Sequence, residues 1–455
     1  MTRARESYVE QLSDPTNSSE AVTRACNDYL ALLMGLIDTP DASLVEGGKI
    51  PKPVKHVGVP ADAHVKEGAG DAVSPTDEQS EEGGDAPSHS KSSKKKGKKS
   101  KEEPMKLFGA IIPGVRGATL FKWMDAISGK EMEFMDAQVE LICCLLNLGL
   151  WHCLHASVQG AKATTGDEDG TLTKSVYSSL LKASSIFSYV DKFELSKVEF
   201  RENHDFDERL VESMAIQCLA EAQEVTTTIA QKKGHDPNLI AGLAQDNSEL
   251  FASAKEKIEK MPQMLAADLT SYCDFKIKFY RATALCENGA ALYAKCEETN
   301  QCGPAVKCFQ EAVKLLFESA EASEKYIKEK KRRSNKNFNQ TRDNDATKLD
   351  AFRDIAKKTK NLLDKAERER SFIYHDKIPD FLPDDTIPAK RLVKTTPFEL
   401  PMLSEMWDKA QFNQVLVPLR GDDLATDKAS SDNSRLKFGR HFAPARLDDA
   451  VCNIQ

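Results

Sequence analysis

The chain has 455 residues, a formal net charge of -8 at pH 7 and 40% hydrophobic residues. This length allows two or three average domains or one long helical array, and the composition gives no global signal of a nucleic-acid-binding protein. The eleven cysteines are an odd number, form no CxxC pair and mostly occupy apolar helical positions, such as Cys143 and Cys218. They predict reduced core thiols in a cytosolic protein.

No signal-peptide core follows Met1, and no run of about 18 uncharged apolar residues occurs. The longest apolar run, 139–154, is interrupted by Glu140, Asn147 and His152. We therefore expect a central buried helix there, in a protein that is neither secreted nor membrane-spanning.

The first strongly periodic segment begins with a candidate N-cap at Ser18 or Ser19 and runs to about Asp38. Residues 44–105 then form a segment rich in Gly, Pro, Ser, Glu and Lys, which we interpret as a disordered low-complexity insertion. Its lysine run, 91–101, is compatible with three interpretations: a solvated segment, a nuclear-import or nucleic-acid patch, and an electrostatic anchor on anionic lipid.

After the insertion, Thr171 to Val190 is predicted to be helical, and residues 206–260 are predicted to form a helical hairpin. Gly234 ends its first arm, and Asp236-Pro237 begins the second with an N-cap followed by a proline at the first helical position. The second arm has two apolar faces. One contains Ile240, Ala244, Phe251, Ala254 and Ile258, and the other contains Leu239, Leu243 and Leu250. We predict that the first face is core and that the second is available to a partner.

Long helices are also predicted over 264–296, from Gly303-Pro304 onward and from about Asp345. The junction before Gly303 resembles one tetratricopeptide unit. From Ser371 the prolines at 379, 383, 388, 397 and 401 predict an extended segment that lies across the helical body, because proline cannot continue a helix. The sequence therefore predicts an all-α fold, with a mobile tail beyond about Asp422.

The sequence carries no recognisable local motif for catalysis or metal binding. The chain has no GxSxG, HExxH, DFG or P-loop pattern. His152 and His155 lack further ligands at suitable spacing, and the acidic loop 167–170 lacks both end ligands of a calcium loop. We therefore predict no catalytic residue, no metal and no cofactor.

The last four residues, Cys452-Asn453-Ile454-Gln455, form a C-a-a-X box whose terminal Gln favours farnesylation of Cys452. A single lipid chain gives only marginal anchoring, so a second signal is needed.

Several stretches together resemble the BRO domain of ALIX-type adaptors of the ESCRT pathway. They are Ala220-Glu221-Ala222-Gln223-Glu224-Val225, Leu239-Ile240-Ala241-Gly242-Leu243-Ala244, Phe372-Ile373-Tyr374-His375-Asp376-Lys377-Ile378-Pro379 and Leu392-Val393-Lys394-Thr395-Thr396-Pro397-Phe398. The Cys452 box and Phe121-Lys122-Trp123 resemble the short prenylated member of this family. On this basis, residues 1–420 are a BRO-like domain and 421–455 are a flexible tail.

The resemblance implies an elongated, curved helical array with a tetratricopeptide-like centre. It also implies a non-enzymatic adaptor whose apolar groove binds the C-terminal amphipathic helix of ESCRT-III subunits, the charged multivesicular body proteins. The implied groove positions are Thr226, Leu239 and Leu243, with Lys174 at the edge; Thr226 stands where ALIX has an aromatic residue. A prenyltransferase and a membrane surface are the other implied partners, and no nucleic acid is expected. The implied location is cytoplasmic, peripheral to endosomal or nuclear-envelope membrane.

Three further hypotheses remain open. An enzyme could assemble a site around His152, His155 and Glu224, or the lysine run could make the chain a scaffold for anionic lipid or nucleic acid. Tyr374 either packs at the junction between helix and extended segment or is a phosphorylation site.

Overall fold

A computed structural model describes residues 1–37, 105–106, 114–117, 119–125, 131–164, 166–198, 204–333, 344–382 and 387–407. All of them belong to one compact unit. The lysine run, the tail 421–455 and Cys452 lie outside the described residues, as does the predicted insertion except for Met105.

The described part of the chain is mostly helical, with three short strands, which confirms the predicted fold class. Its helices are α1 (Thr2–Leu12), α2 (Ser19–Ile37), α3 (Ala137–Ala163), α4 (Thr171–Tyr189), α5 (Glu208–Lys232), α6 (Pro237–Ile258), α7 (Gln263–Tyr293), α8 (Cys296–Thr299), α9 (Gly303–Arg333) and α10 (Asn344–Glu369). A π-helical turn follows α4 and another follows α10, over Val190–Glu194 and Arg370–Tyr374.

The hairpin of α5 and α6 is formed by the predicted local signals. Gly234 has a φ of 63°, a left-handed conformation that glycine adopts without steric cost. The carboxylate of Asp236 accepts a hydrogen bond from the backbone N–H of Asn238, and Pro237 occupies the first helical position. These bonds end one helix and begin the next, which confirms the predicted turn.

The helices pack mainly against their neighbours in the sequence. Each helix from α1 to α6 contacts the next one, α7 contacts α9, and α9 contacts α10. A single main apolar core extends through the whole series. Helix α3 is long and apolar enough to cross a membrane, but 78% of its most apolar window is buried within the protein. It is therefore packed as a core helix, as the sequence predicted.

A small sheet precedes α3 and was not predicted. Its strands are β1 (Met105–Lys106), β2 (Phe121–Met124) and β3 (Glu131–Phe134). Strand β3 lies in the middle, antiparallel to β2 and parallel to β1. Strands of two to four residues are too short to show an alternating pattern in the sequence.

The buried carboxylate of Glu140 joins this sheet to the helices around it. It accepts hydrogen bonds from Arg5 Nε at 2.7 Å, from the Tyr29 hydroxyl at 2.8 Å and from Trp123 Nε1 at 2.5 Å. The donors come from α1, α2 and β2, whereas Glu140 lies on α3. The polar interruption in the apolar run is thus an attachment point for three other elements.

Candidate functional site

The implied groove lies at the turn of the α5–α6 hairpin. Here Ala230, Ile240 and Leu243 form a small apolar cluster that is separate from the main core, and Leu239 packs against it. Leu239 and Leu243 therefore share one cluster with Ile240, although the periodicity placed Ile240 on the other face of α6.

The second face of α6 is less accessible than predicted. Leu250 is buried in the main core, and Leu243 has no exposed surface. Only Leu239 keeps partial exposure. The reason is that α6 is packed against both α5 and α7 and is crossed by the extended segment. The periodicity correctly marked these side chains as apolar, but it did not show that neighbouring elements cover most of them.

Thr226 and Lys174 lie on two neighbouring helices. Thr226 is on α5, is partly buried, and its hydroxyl donates a hydrogen bond to the Ala222 carbonyl at 3.3 Å. Lys174 is exposed in the first turn of α4, which packs against α5. Thr226 is thus on the same helix as Ala230 of the cluster, and Lys174 is on the helix beside it.

The extended segment 387–393 is fixed to the hairpin next to this cluster. The backbone N–H of Lys390 donates to the Gly242 carbonyl at 2.9 Å. The Gln223 amide donates to the Lys390 carbonyl at 2.8 Å and accepts from the N–H groups of Leu392 and Val393. Gln223 therefore binds the segment as a neighbouring strand would, with one donor and one acceptor.

An ion pair reinforces this attachment. Arg391 binds the buried Asp246 carboxylate through two nitrogens, at distances of 2.9 to 3.1 Å. Gly242 allows the close approach, because a Cβ at this position would lie 2.9 Å from the Pro388 carbonyl oxygen. The segment consequently forms a wall beside the Leu239 cluster, held by contacts between residues far apart in the chain.

The opposite side of α5 is held to α7 by a buried polar cluster. Lys276 Nζ contacts the two carboxylate oxygens of Glu224 at 2.8 and 3.1 Å, and both side chains are almost completely buried. The Tyr272 hydroxyl donates to Glu221 at 3.0 Å. Burial, together with the nearby charge of Glu224, raises the pKa of Glu221 well above its usual range. The buried site therefore favours the neutral form of Glu221 beside the Glu224–Lys276 ion pair.

The enzyme hypothesis receives no support from the positions of its three residues. Glu224 is neutralised by Lys276, whereas the histidines are on α3. His155 Nδ1 donates to the Pro15 carbonyl at 2.9 Å. Burial lowers the pKa of His152 to about 3, which is too low for an acid–base catalyst at neutral pH.

Metal binding is equally unsupported. Within the ranges that the structure describes, no three His, Cys, Asp or Glu side chains come together in a group that could hold a metal ion. In the acidic loop 167–170, Asp167 accepts hydrogen bonds from the backbone N–H groups of Leu172 and Thr173. It therefore caps the start of α4.

Tyr374 ends the π-helical turn after α10 and packs, partly buried, against the main core. Two residues later, the Asp376 carboxylate accepts hydrogen bonds from the N–H groups of Cys302 and Gly303 at 3.0 and 2.6 Å. This motif thus caps the N-terminus of α9. Phosphorylation of Tyr374 stays a prediction.

Comparison with known proteins agrees with this architecture. The family model of the BRO1-like domain matches residues 112–424. The BRO1 domain-containing protein BROX of Homo sapiens is 34% identical over 296 residues, covering 63% of this chain and 67% of that protein. The BROX homolog of Caenorhabditis elegans is 25% identical over 418 residues, covering 90% and 80% of the two chains.

Among solved structures, the ALIX BRO1 CHMP4C complex matches with a TM-score of 0.50 and 21% identity, over 63% of this chain and 73% of that one. This likeness defines the class of fold as the helical BRO1 domain. The chain belongs to the BRO1-like domain family.

Sequence reasoning missed Gln223, Asp246 and Arg391 as the residues that fix the extended segment to the hairpin. Gln223 lies in Ala220–Val225, one of the stretches that resemble the family, but no contact with the extended segment was predicted for it. The proline pattern predicted that an extended segment crosses the helical body, but it did not predict which residues of the body bind that segment.

Proposed function

We propose that this protein is a non-enzymatic ESCRT adaptor that captures the C-terminal amphipathic helix of a charged multivesicular body protein. Its membership in the BRO1-like domain family supports an ESCRT-associated adaptor role. The similar ALIX domain forms a complex with CHMP4C, which favours the same class of partner here.

The observation that carries the proposal is the apolar cluster at the hairpin turn. It lies outside the main core, and Leu239 presents part of its side chain to solvent beside a fixed wall. An amphipathic helix can lay its apolar side chains against such a surface, which is the usual mode of helix-in-groove recognition.

The residues have different roles in this proposal. Leu239 and Thr226 contact the partner, whereas the fully buried Leu243 supports Leu239 from beneath. Lys174 meets an acidic side chain of the partner at the edge. Because Thr226 offers less apolar area than an aromatic residue, we expect weaker binding of partners that insert a large apolar side chain at this point.

The proposal is tested by measuring the affinity for a synthetic amphipathic helix of this class by calorimetry. Leu239→Asp should weaken binding by about tenfold or more, since it removes roughly half of a leucine's burial and adds a carboxylate that would lose water on binding. Phe317→Asp is the matched control, because Phe317 is an exposed apolar residue on α9. Equal affinity of the wild type and Leu239→Asp, with both folded, would refute the groove assignment.

We also propose that farnesylation of Cys452 by a prenyltransferase tethers the adaptor to the cytoplasmic face of endosomal or nuclear-envelope membranes. Intact mass of the protein isolated from cells should show one farnesyl group and the loss of the three residues after Cys452. Cys452→Ser should abolish both changes. An unmodified wild-type mass would refute the tether without affecting the groove.

A further inference from the structure

An apolar patch is exposed near the end of the described chain. Met402 is 90% exposed, Leu403 44% and Met406 68%; we call these three residues the methionine patch. Most large apolar side chains among the described residues are buried in the core, whereas these three lie within five positions of one another and are exposed.

The backbone beneath this patch is fixed to α2. The Ser404 N–H donates to the Ala31 carbonyl at 3.1 Å, and Trp407 Nε1 donates to the Leu32 carbonyl at 2.9 Å. The Trp407 ring lies flat against Gly35, where a Cβ would come within 2.1 to 2.3 Å of ring atoms. The patch is therefore presented by an anchored turn.

The surroundings of the patch suit a lipid surface. The α2 stretch on which the turn is anchored, residues 29–37, contains no charged residue, and residues 400–407 contain only Glu405. Unbranched methionine side chains adapt to irregular apolar surroundings. Within these two stretches a membrane interface would have to desolvate only the carboxylate of Glu405; Glu399 lies just outside them.

The patch is also close in sequence to the proposed lipid attachment. Met406 and Cys452 are separated by 46 positions, and the chain between them starts at the anchored turn. A single lipid chain gives only marginal, reversible membrane binding, so stable attachment requires a second contact.

We propose that the methionine patch is this second contact and inserts into the membrane interface when Cys452 is farnesylated. The inference rests on the farnesyl tether proposed above. The occupant is the apolar boundary of a bilayer, so the contact does not require anionic lipid.

Partitioning of the farnesylated protein onto phosphatidylcholine vesicles tests the inference. Neutral vesicles are chosen because attraction of the lysine run 91–101 would require anionic lipid. The variant Met402→Ser, Leu403→Ser, Met406→Ser should partition about tenfold more weakly than the wild type. The matched control is Phe372→Ser, Ile373→Ser, two similarly exposed residues in the turn after α10, which should partition like the wild type.

Trp407 provides an independent readout of insertion. Brominated phosphatidylcholine should quench its fluorescence in vesicle-bound protein, and Trp407→Phe should remove the quenched component. Trp151 is fully buried and should contribute little to the quenching, and any contribution of the partly buried Trp123 is the component that Trp407→Phe leaves unchanged.

The outcomes separate the two proposals. If the triple variant partitions like the wild type while Cys452→Ser no longer binds vesicles, the proposed insertion of the patch is refuted and the farnesyl tether is retained. Equal partitioning of the wild type and Cys452→Ser refutes the tether, and the patch with it. If the triple variant instead loses affinity for the amphipathic helix, the patch is a protein-docking surface and the inference is wrong.

Discussion

Replacing Lys276 by Met tests whether the buried Lys276–Glu224 ion pair holds α5 to α7. The substitution retains much of the apolar volume of the side chain and removes its charge. It leaves the Glu224 carboxylate buried without its two contacts at 2.8 and 3.1 Å. Removing one partner of a buried pair costs about 3–5 kcal/mol, so we expect a loss of this size in the free energy of unfolding at pH 8.

The loss should depend on pH in a defined direction. Burial already raises the pKa of Glu224 in the wild type, while Lys276 opposes the increase. Without Lys276 the pKa of folded Glu224 rises further, so the folded variant binds more protons than its unfolded chain. The stability of the variant is then greatest below the pKa of Glu224 in the unfolded chain, and it falls as pH rises through the pKa of Glu224 in the folded protein. The difference between wild type and variant should therefore be smaller at pH 5 than at pH 8.

Urea denaturation followed by circular dichroism at both pH values measures these differences. The double variant Lys276→Met, Glu224→Gln is the control, because it removes both charges and should recover most of the loss. A loss below about 1 kcal/mol at pH 8, or a loss independent of pH, would contradict the role of the pair.

Three other predictions concern other parts of the fold. Gly242→Ala should displace the Pro388 carbonyl and cost about 1–3 kcal/mol in thermal unfolding; an unchanged midpoint would show that the segment adjusts freely. The pKa of Asp191 is raised to about 6, chiefly by burial and also by nearby acidic side chains. As pH rises from about 4 to about 6, the wild-type free energy of unfolding should therefore fall relative to that of Asp191→Asn, because folded Asp191 still holds a proton that the unfolded chain has lost. Parallel pH profiles from urea denaturation would disprove this. Glu140→Gln should cost about 2 kcal/mol in chemical denaturation by weakening bonds from Trp123 and two other donors, whereas an unchanged midpoint would exclude Glu140 as an attachment point.

The attachment of the extended segment to the hairpin depends on residues far apart in the sequence. Gln223 and Lys390, which are joined by a hydrogen bond, are 167 positions apart in the sequence. If the groove binds a helix as proposed, weakening this attachment should alter the position of one wall while leaving Leu239 in place. Binding and stability measured together on Gln223→Ala would separate these two effects.

The sequence by itself located most of the long helices and the turn of the hairpin. Apolar spacing marked the helices, and Gly234 with Asp236-Pro237 marked the hairpin turn, because backbone conformation and capping depend on residues only a few positions apart. The same local patterns carried the resemblance to the family. They also identified α3 as a core helix, since its polar interruptions were visible in the sequence.

Only the tertiary structure decided which apolar side chains remain accessible. Periodicity shows that Leu239 and Leu243 are apolar, but their exposure depends on α5, α7 and a segment about 150 positions further along the chain. Likewise, Glu140 looked like an interruption until its three distant donors were brought together. Burial and pairing are properties of neighbours in space, and no local pattern specifies which neighbours those are.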